Sequence, residues 1–424
     1  MSRFDALTAA ARVLSSDQAD RRARAAALAC MVGLAVVLGV GRFAFTPLLP
    51  LMLADGSIGL KAGSWLASAN YAGYFAGAVS CAALRVAPAR MVRFGLAATV
   101  LLTAAMGVGH ALPVWLVVRF VAGVVSAWTF VFVSQWGLRR LAELHAPEWS
   151  GVIYAGPGVG IVVTGLIGSA LAGRHAAVGW LGFAALSAVL SVAIWRTFGA
   201  APAPTPAPAH TQATPPAAAP HTVTSASASP AARAGTRSRR ADAAWLVALY
   251  GAPGFGYIIT ATFLPVIARA ALPAGSPWPD LFWPMFGAAL IVGAITAARL
   301  PGHWDNRLLL AAGCATQALG IAAGIVWPNA AGFSIGSALL GLPFTAITLF
   351  AMREARRLHG ERAAGLMGYA TASYGVGQIL GPLVAAPLAA RFGSFTPALW
   401  VAAAALLIGA AGFAATAACG RRSP

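Results

Sequence analysis

The chain alternates between long apolar runs and short polar breaks. A run of about 20 apolar residues is long enough to cross a bilayer as an α-helix. Twelve such runs, six on either side of a long polar stretch, are predicted as membrane spans at 25–53, 63–84, 91–111, 113–138, 150–172, 177–198, 243–268, 280–299, 307–327, 329–352, 363–390 and 395–419. The pattern therefore predicts an all-α integral membrane protein with twelve transmembrane helices in two six-helix bundles.

Basic residues fall between these runs in a pattern that gives an orientation. With a cytoplasmic N-terminus, the short inner loops contain eleven arginines and the outer loops contain four basic residues. Cytoplasmic loops of membrane proteins carry such an excess of Lys and Arg. We therefore expect a multi-pass protein of a bacterial-type inner (cytoplasmic) membrane with both termini in the cytoplasm.

The spans divide the chain into five segments. We predict a cytoplasmic N-terminal segment at 1–24 and an N-terminal six-helix bundle at 25–198. A disordered cytoplasmic linker at 199–242 joins it to a C-terminal six-helix bundle at 243–419, and a cytoplasmic tail follows at 420–424. The linker is rich in Ala, Pro, Thr and Ser, and Val223 is its only large aliphatic residue. Such a composition buries too little apolar surface to offset the entropy of ordering.

Composition excludes several classes of function. The net charge of +18 spreads over the loops instead of clustering on one face, which argues against a nucleic-acid partner. The four cysteines lack metal-ligand spacing, and we predict neither metal nor cofactor. A membrane enzyme would need clustered catalytic groups, and the nearest cluster, Glu143, His145 and Glu148, is typical of a solvated helix end. A sensor or scaffold would need a folded soluble domain, whereas the longest polar segment is of low complexity.

The two halves repeat each other at matching positions. The first span reads "GRFAFTPLLPLM" and the seventh reads "GYIITATFLPVI", which align on Leu-Pro. The fifth and eleventh spans, "YAGPGVGIVVTG" and "YGVGQILGPLVA", are both Gly-rich and contain a Gly-Pro pair. Duplicated halves around a central polar pathway are typical of secondary transporters.

Polar residues recur at helical spacing on several spans. In lipid such residues must face protein or a water-filled cavity. We predict that ten of them line a substrate pathway: Arg42, Thr46, Asn70, Tyr74, Arg119, Tyr257, Thr260, Thr371, Tyr374 and Gln378. We predict that six others form helix-packing or gating motifs: Gly123, Gly156, Pro157, Gly160, Gly381 and Pro382. The alternative for each polar residue is a hydrogen bond that only joins two neighbouring helices.

Arg42 and Arg119 are charged residues within predicted spans. All eleven acidic residues lie in loops, tails or span ends, so neither arginine has a counter-ion within the membrane. A guanidinium without a counter-ion is suited to bind a carboxylate or phosphate that arrives and leaves. The alternatives are side chains that reach outward to the headgroups, or purely structural bonds to backbone carbonyls.

Several motifs resemble the major facilitator superfamily. "RFVAGVVSA" (119–127) is similar to its helix-4 motif and "AGPGVG" (155–160) to its helix-5 motif. "GVGRFAFTPLLPLM", "SANYAGYFAGA", "GFGYIITATFLPVIAR" and "ATASYGVGQILGP" resemble the YbfB/YjiJ-type branch. The resemblance implies twelve helices, two pseudo-symmetric bundles, alternating access, a role for Arg119 in coupling-ion movement, and a bundle interface shaped by Gly156, Pro157 and Gly160. The loop "ALRVAPARMVRFG" (83–95) lacks the acidic residue of the usual Asp-Arg latch.

Together these features predict a secondary active transporter for a small organic solute, which is expected to be anionic. No Asp, Glu or His lies in the middle of a span to relay protons, so we expect the solute to be accompanied by a coupling proton that it carries itself or by a counter-anion. The alternative is a proton-coupled, multidrug-type efflux antiporter with an aromatic cavity. Besides its small-molecule substrate and membrane lipid we expect no partner, and we expect a monomer.

Overall fold

The computed structural model describes residues 3–199, 230–360 and 363–421, and within these residues the secondary structure is helical throughout. Its fourteen α-helices are α1 (Arg3–Leu34), α2 (Phe45–Ala54), α3 (Leu60–Ser80), α4 (Pro88–Val108), α5 (Leu112–Glu143), α6 (Ser150–Ala170), α7 (Ala176–Trp195), α8 (Pro230–Ala271), α9 (Trp278–Arg299), α10 (Asn306–Val326), α11 (Ala330–Gly341), α12 (Phe344–His359), α13 (Ala363–Phe392) and α14 (Thr396–Arg421).

Within the described residues, eleven helical stretches are long and apolar enough to cross a membrane, so the chain is a multi-pass membrane protein. They include every helix except α3, with α1–α2 and α11–α12 each forming one stretch. The predicted span at 63–84 is helical as α3, but polar residues such as Ser64, Asn70 and Tyr71 give it a lower hydropathy.

Two predicted spans are broken instead of continuous. In the first, α1 passes into a π-helix at Ala35–Val40, and residues 41–44, here called the first-helix break, form a turn before α2. Pro47 has no N–H to donate to the carbonyl of Phe43, which accepts from Thr46 instead, at 3.2 Å. In the tenth, α11 ends before Leu342 and Pro343, and α12 begins at Phe344.

Part of the predicted linker is helical. The helix α8 begins at Pro230, so residues 230–242 belong to it, whereas residues 200–229 lie outside the described part of the chain. The predicted N-terminal segment is helical from Arg3 onward. The first two residues of the predicted tail, 420 and 421, end α14, and residues 422–424 lie outside the described part.

Helices pack closely where small residues meet. The helix α3 packs against α5 and α13, α6 against α9, and α8 against α13 and α14. At the α3–α5 contact a Cβ on Gly73 would collide with the carbonyl of Phe120, and a Cβ on Gly123 would collide with the carbonyl of Asn70. In a membrane, close packing of this kind replaces the hydrophobic effect as the force that joins helices.

Candidate functional site

Arg119 satisfies the carbonyl groups of the first-helix break. Its side chain is only 2% exposed, and its Nη1 and Nη2 donate to the carbonyls of Gly41 at 3.3 Å and Arg42 at 3.2 Å. The guanidinium also lies 4.9 Å from the centroid of the Phe45 ring. Because the turn at 41–44 leaves these carbonyls without helical partners, Arg119 supplies donors that water cannot supply in lipid.

Arg42 itself lies within the break and is enclosed by aromatic rings. Its Cζ is 4.0 Å from the centroid of the Tyr74 ring, 5.2 Å from that of Tyr71 and 5.3 Å from that of Phe43. Contacts between a guanidinium and aromatic faces stabilise a charge by about 0.5–2 kcal/mol each, the larger value applying away from water. The rings therefore hold the charge without neutralising it.

A neutral amide completes the surroundings of Arg42. Its Nη2 donates to Oε1 of Gln378 at 2.9 Å, and Nε2 of Gln378 donates to the hydroxyl of Tyr257. The Tyr257 ring stacks on Tyr374 at 5.9 Å and meets Phe344 edge-on at 4.9 Å. Arg42 thus reaches from the first helix to α8 and α13 through one hydrogen-bonded chain.

Neither guanidinium has an acidic partner in the part of the chain whose side chains are described. The ion pairs there involve other basic residues, and none includes Arg42 or Arg119. Both side chains are buried, and the Nε atom of each has no hydrogen-bond partner. Two positive charges therefore lie within the helices without a carboxylate beside them, an unusual arrangement that commonly marks a functional site.

Further cross-contacts surround this site. The hydroxyl of Thr46 donates to the carbonyl of Ala261 at 3.0 Å, and the hydroxyls of Tyr71 and Thr262 are 3.0 Å apart. Ser68 donates to the carbonyl of Ile379 at 2.9 Å. Like the bond between Arg42 and Gln378, these bonds join residues before 199 to residues after 242.

The structure brings together some of the predicted pathway residues and separates others. Five of them form one connected cluster of hydrogen bonds and ring contacts, namely Arg42, Tyr74, Tyr257, Tyr374 and Gln378. Thr46 lies beside them, and Asn70 donates to the carbonyl of Arg119 at 2.9 Å. Thr260 instead lines a separate small cavity beside Phe333, and the exposed Thr371 donates to Met367 in its own helix.

The predicted motif glycines lie at helix contacts. A Cβ on Gly156 would collide with the carbonyl of Met31, a Cβ on Gly160 would lie 2.6 Å from the Cα of Gly39, and a Cβ on Gly381 would collide with the side chain of Ile258. Pro157 and Pro382 lie inside α6 and α13. Gly123, Gly156 and Gly160 therefore let neighbouring backbones approach closely.

Sequence reasoning missed Tyr71, Trp283 and a large part of the aromatic surroundings. Tyr71 lies three residues before Tyr74, so the two share one face of α3, and this spacing could have identified it. Phe43 belongs to the same surroundings, because its ring contacts Trp283 at 6.0 Å and Phe344 at 6.4 Å. Phe344 follows the break between α11 and α12, which apolar patterning does not reveal.

Comparison with known proteins gives one family and one solved fold. The family model described as the uncharacterised MFS-type transporter YbfB matches residues 34–413. The crystal structure of the nucleoside transporter NupG (D323A mutant) is similar with a TM-score of 0.65 and 14% sequence identity, covering 92% of this chain and 99% of that chain. No curated protein matches significantly. At this identity the likeness to NupG is one of fold.

Proposed function

The chain belongs to the family of the uncharacterised MFS-type transporter YbfB, and from this premise we propose that it is a secondary active transporter, not an enzyme, that moves a small organic anion by alternating access. The buried charge of Arg42, which is held by aromatic rings and one neutral amide, carries this proposal. A carboxylate or phosphate could bind this guanidinium through two parallel hydrogen bonds.

The proposed architecture has twelve spans in two pseudo-symmetric six-helix bundles, at 25–198 and 243–419. The fold likeness to NupG, the sequence repeat and the positive-inside pattern support it. We take α3 as the twelfth span, because its polar residues face Arg42 and Arg119 instead of lipid. Both termini and residues 199–242 would then lie on the cytoplasmic side of the inner membrane.

Substrate binding would act directly on the contact between the two bundles. Oε1 of Gln378 occupies the position that an oxygen of a bound anion would take on Arg42. An anion that displaces Gln378 breaks one bond between the bundles, and neighbouring bonds such as Thr46 to Ala261 can then separate. A ligand shifts a conformational equilibrium only through such a difference in contacts between the two states.

The two arginines have different roles in this proposal. Arg119 uses its donors on backbone carbonyls, so it fixes the position of Arg42 and adds positive potential without touching the substrate. The described spans offer no carboxylate near either residue for a proton relay. Energy coupling is therefore assigned to a proton carried by the substrate or to exchange for a second anion.

Uptake into proteoliposomes tests the proposal. We expect Arg42→Gln to abolish uptake of the transported carboxylate or phosphonate and Arg42→Lys to retain part of it, because lysine keeps the charge but loses bidentate geometry. Thr371→Val is the matched control, since this threonine is exposed and bonds only its own helix. Unchanged uptake by a folded Arg42→Gln protein contradicts the proposal.

The aromatic cluster favours a second candidate, an efflux antiporter for amphipathic drugs. Phe43, Trp283, Phe286 and Phe344 contact one another beside Tyr257. Such rings also suit the planar base of a neutral solute such as the nucleosides named for NupG. One panel of labelled aromatic carboxylates, nucleosides and lipophilic cations distinguishes these functions, because an anion transporter accepts only the first class.

A further inference from the structure

A second basic site lies away from Arg42, between the loop that follows α9 and the end of α12. A cavity of about 670 Å³ opens there, and six of its lining residues are Trp304, Asp305, Arg307, Arg353, Arg356 and Arg357. In the proposed orientation this cavity faces the cytoplasm, beside the ends of α9 and α12 and the start of α10.

Two of the four arginines are already committed to carboxylates. Arg307 donates to both oxygens of Asp305, at 3.2 and 3.3 Å, and to the carbonyl of Thr416 at 2.8 Å. Arg357 makes a bidentate pair with the buried Glu354, at 2.8 and 2.6 Å. These pairs hold the cavity wall in place and neutralise their own charges.

The other two arginines keep their charge available. Arg353 and Arg356 lie three residues apart on α12, so they share one face of the helix. Neither forms an ion pair with a carboxylate whose side chain the structure describes. Nη1 of Arg353 is buried without a hydrogen-bond partner, and Arg356 is exposed at the mouth. A buried donor without an acceptor is costly, and a ligand oxygen that reaches it removes this cost.

We propose that this cavity binds a phosphate group, held between Arg353 and Arg356. Phosphate offers several charged acceptor oxygens, which match two guanidinium groups. Trp304 beside the arginines is 47% exposed, as is typical of a ring that lies at a membrane interface. The same chemistry can come from an anionic phospholipid headgroup or from a free phosphate in solution.

Native mass spectrometry of the full chain with phosphatidylglycerol tests the lipid source. We expect Arg353→Gln/Arg356→Gln to bind this lipid at least about tenfold more weakly than the wild type, with Arg356→Gln alone intermediate. Arg139→Gln/Arg140→Gln is the matched control, because it removes two arginines from the end of α5, where both pair with Glu143. The control should bind within about twofold of the wild type.

Thermal unfolding in a neutral detergent with added inorganic phosphate tests the soluble source. If phosphate raises the melting temperature of the wild type but not that of Arg353→Gln/Arg356→Gln, the ligand is a soluble phosphate. If the same variant loses lipid binding, the ligand is a lipid headgroup. Either result supports the site. The proposal is overturned if the wild type binds neither probe, or if the α5 control loses binding equally. Arg356→Gln changes an exposed side chain, so the comparison remains available if the double variant does not fold.

Discussion

Replacing Gln378 by glutamate should fill the Arg42 site with a permanent counter-ion. The two side chains have nearly the same shape, so the change mainly converts the acceptor of the 2.9 Å hydrogen bond from Arg42 into a carboxylate. The proposed substrate anion would then compete with a resident charge for the same guanidinium. We therefore expect the variant to fold and to lose transport.

The size of the effect follows from the geometry. Opposite unit charges about 4 Å apart attract each other by about 4 kcal/mol at an effective dielectric constant of about 20. The cost of burying the new carboxylate offsets part of this attraction. Since each 1.4 kcal/mol is a factor of ten, we expect substrate affinity to fall by about 10²- to 10³-fold.

Concentration-dependent uptake in proteoliposomes measures this change. Gln378→Leu is the matched control, because it removes the acceptor without adding a charge and leaves Arg42 open to an incoming anion. We expect this control to keep the substrate affinity within about tenfold of the wild type. Both variants must elute and unfold as the wild type does before the two are compared.

One pattern of results would refute the reasoning. If Gln378→Glu transports the anion with unchanged affinity, Arg42 cannot be the group that the substrate binds. If Gln378→Leu and Gln378→Glu lose uptake equally, Gln378 acts through its hydrogen bonds and not through competition at the guanidinium. The charge argument predicts a gap of at least about tenfold between the two.

Three further predictions follow from contacts outside this pair. Arg119→Leu removes two charge-assisted hydrogen bonds to the first-helix break and should lower the free energy of unfolding by about 1.5–3 kcal/mol. We expect a lower melting temperature, and an unchanged melting temperature would contradict this prediction. Gly160→Ala should lower the free energy of unfolding by about 1–3 kcal/mol, because the new Cβ collides with the π-helix. Gly151→Ala is the matched control and should leave the melting temperature unchanged, because no atom of a neighbouring helix lies within 4 Å of the position of its Cβ. Burial raises the pKa of Asp55, but hydrogen bonds from Ser57 and from the backbone N–H of Ala176 outweigh it and hold the pKa below its ordinary value of 3.8. The ionised carboxylate therefore stabilises the fold above pH 3.8 and ceases to do so as the pH falls through the lowered pKa. Asp55→Asn should therefore have a lower melting temperature than the wild type at about pH 7, but not at a pH below the lowered pKa. An equal melting temperature at neutral pH would contradict a stabilising role for these hydrogen bonds.

Hydropathy and charge predicted the membrane-spanning character of this chain because both depend on composition along the sequence. The site was predictable only in part. Tyr374 and Gln378 lie on one face of α13, as their spacing predicts, and that face meets Arg42. Thr371 continues the same stripe one turn before Tyr374, where it is exposed and bonds the backbone of its own helix. Periodicity gives the face of a helix, whereas the depth at which another helix covers it depends on the tertiary packing.

The different roles of Arg42 and Arg119 could not be predicted from the sequence. Both are arginines in apolar spans, and a bond to carbonyls was an alternative for each. The distinction depends on the first-helix break, where Pro47 cannot donate to Phe43 and the carbonyls of Gly41 and Arg42 turn toward Arg119. Which carbonyls a break frees depends on the local backbone geometry, and hydropathy contains no such information.

In the proposed function, this division of roles leaves the buried charge of Arg42 available to the substrate. Arg119 is tied to the backbone on which Arg42 stands, so the position of Arg42 is set by hydrogen bonds and does not require a carboxylate partner. Carbonyl oxygens carry only partial negative charge, and the positive charge of Arg119 therefore still acts on the region around Arg42. An anion that contacts Arg42 alone is attracted by both guanidinium groups, whereas a cation is repelled by both. In the proposed function, selectivity for anions would therefore arise from two positive charges, of which only that of Arg42 contacts the substrate.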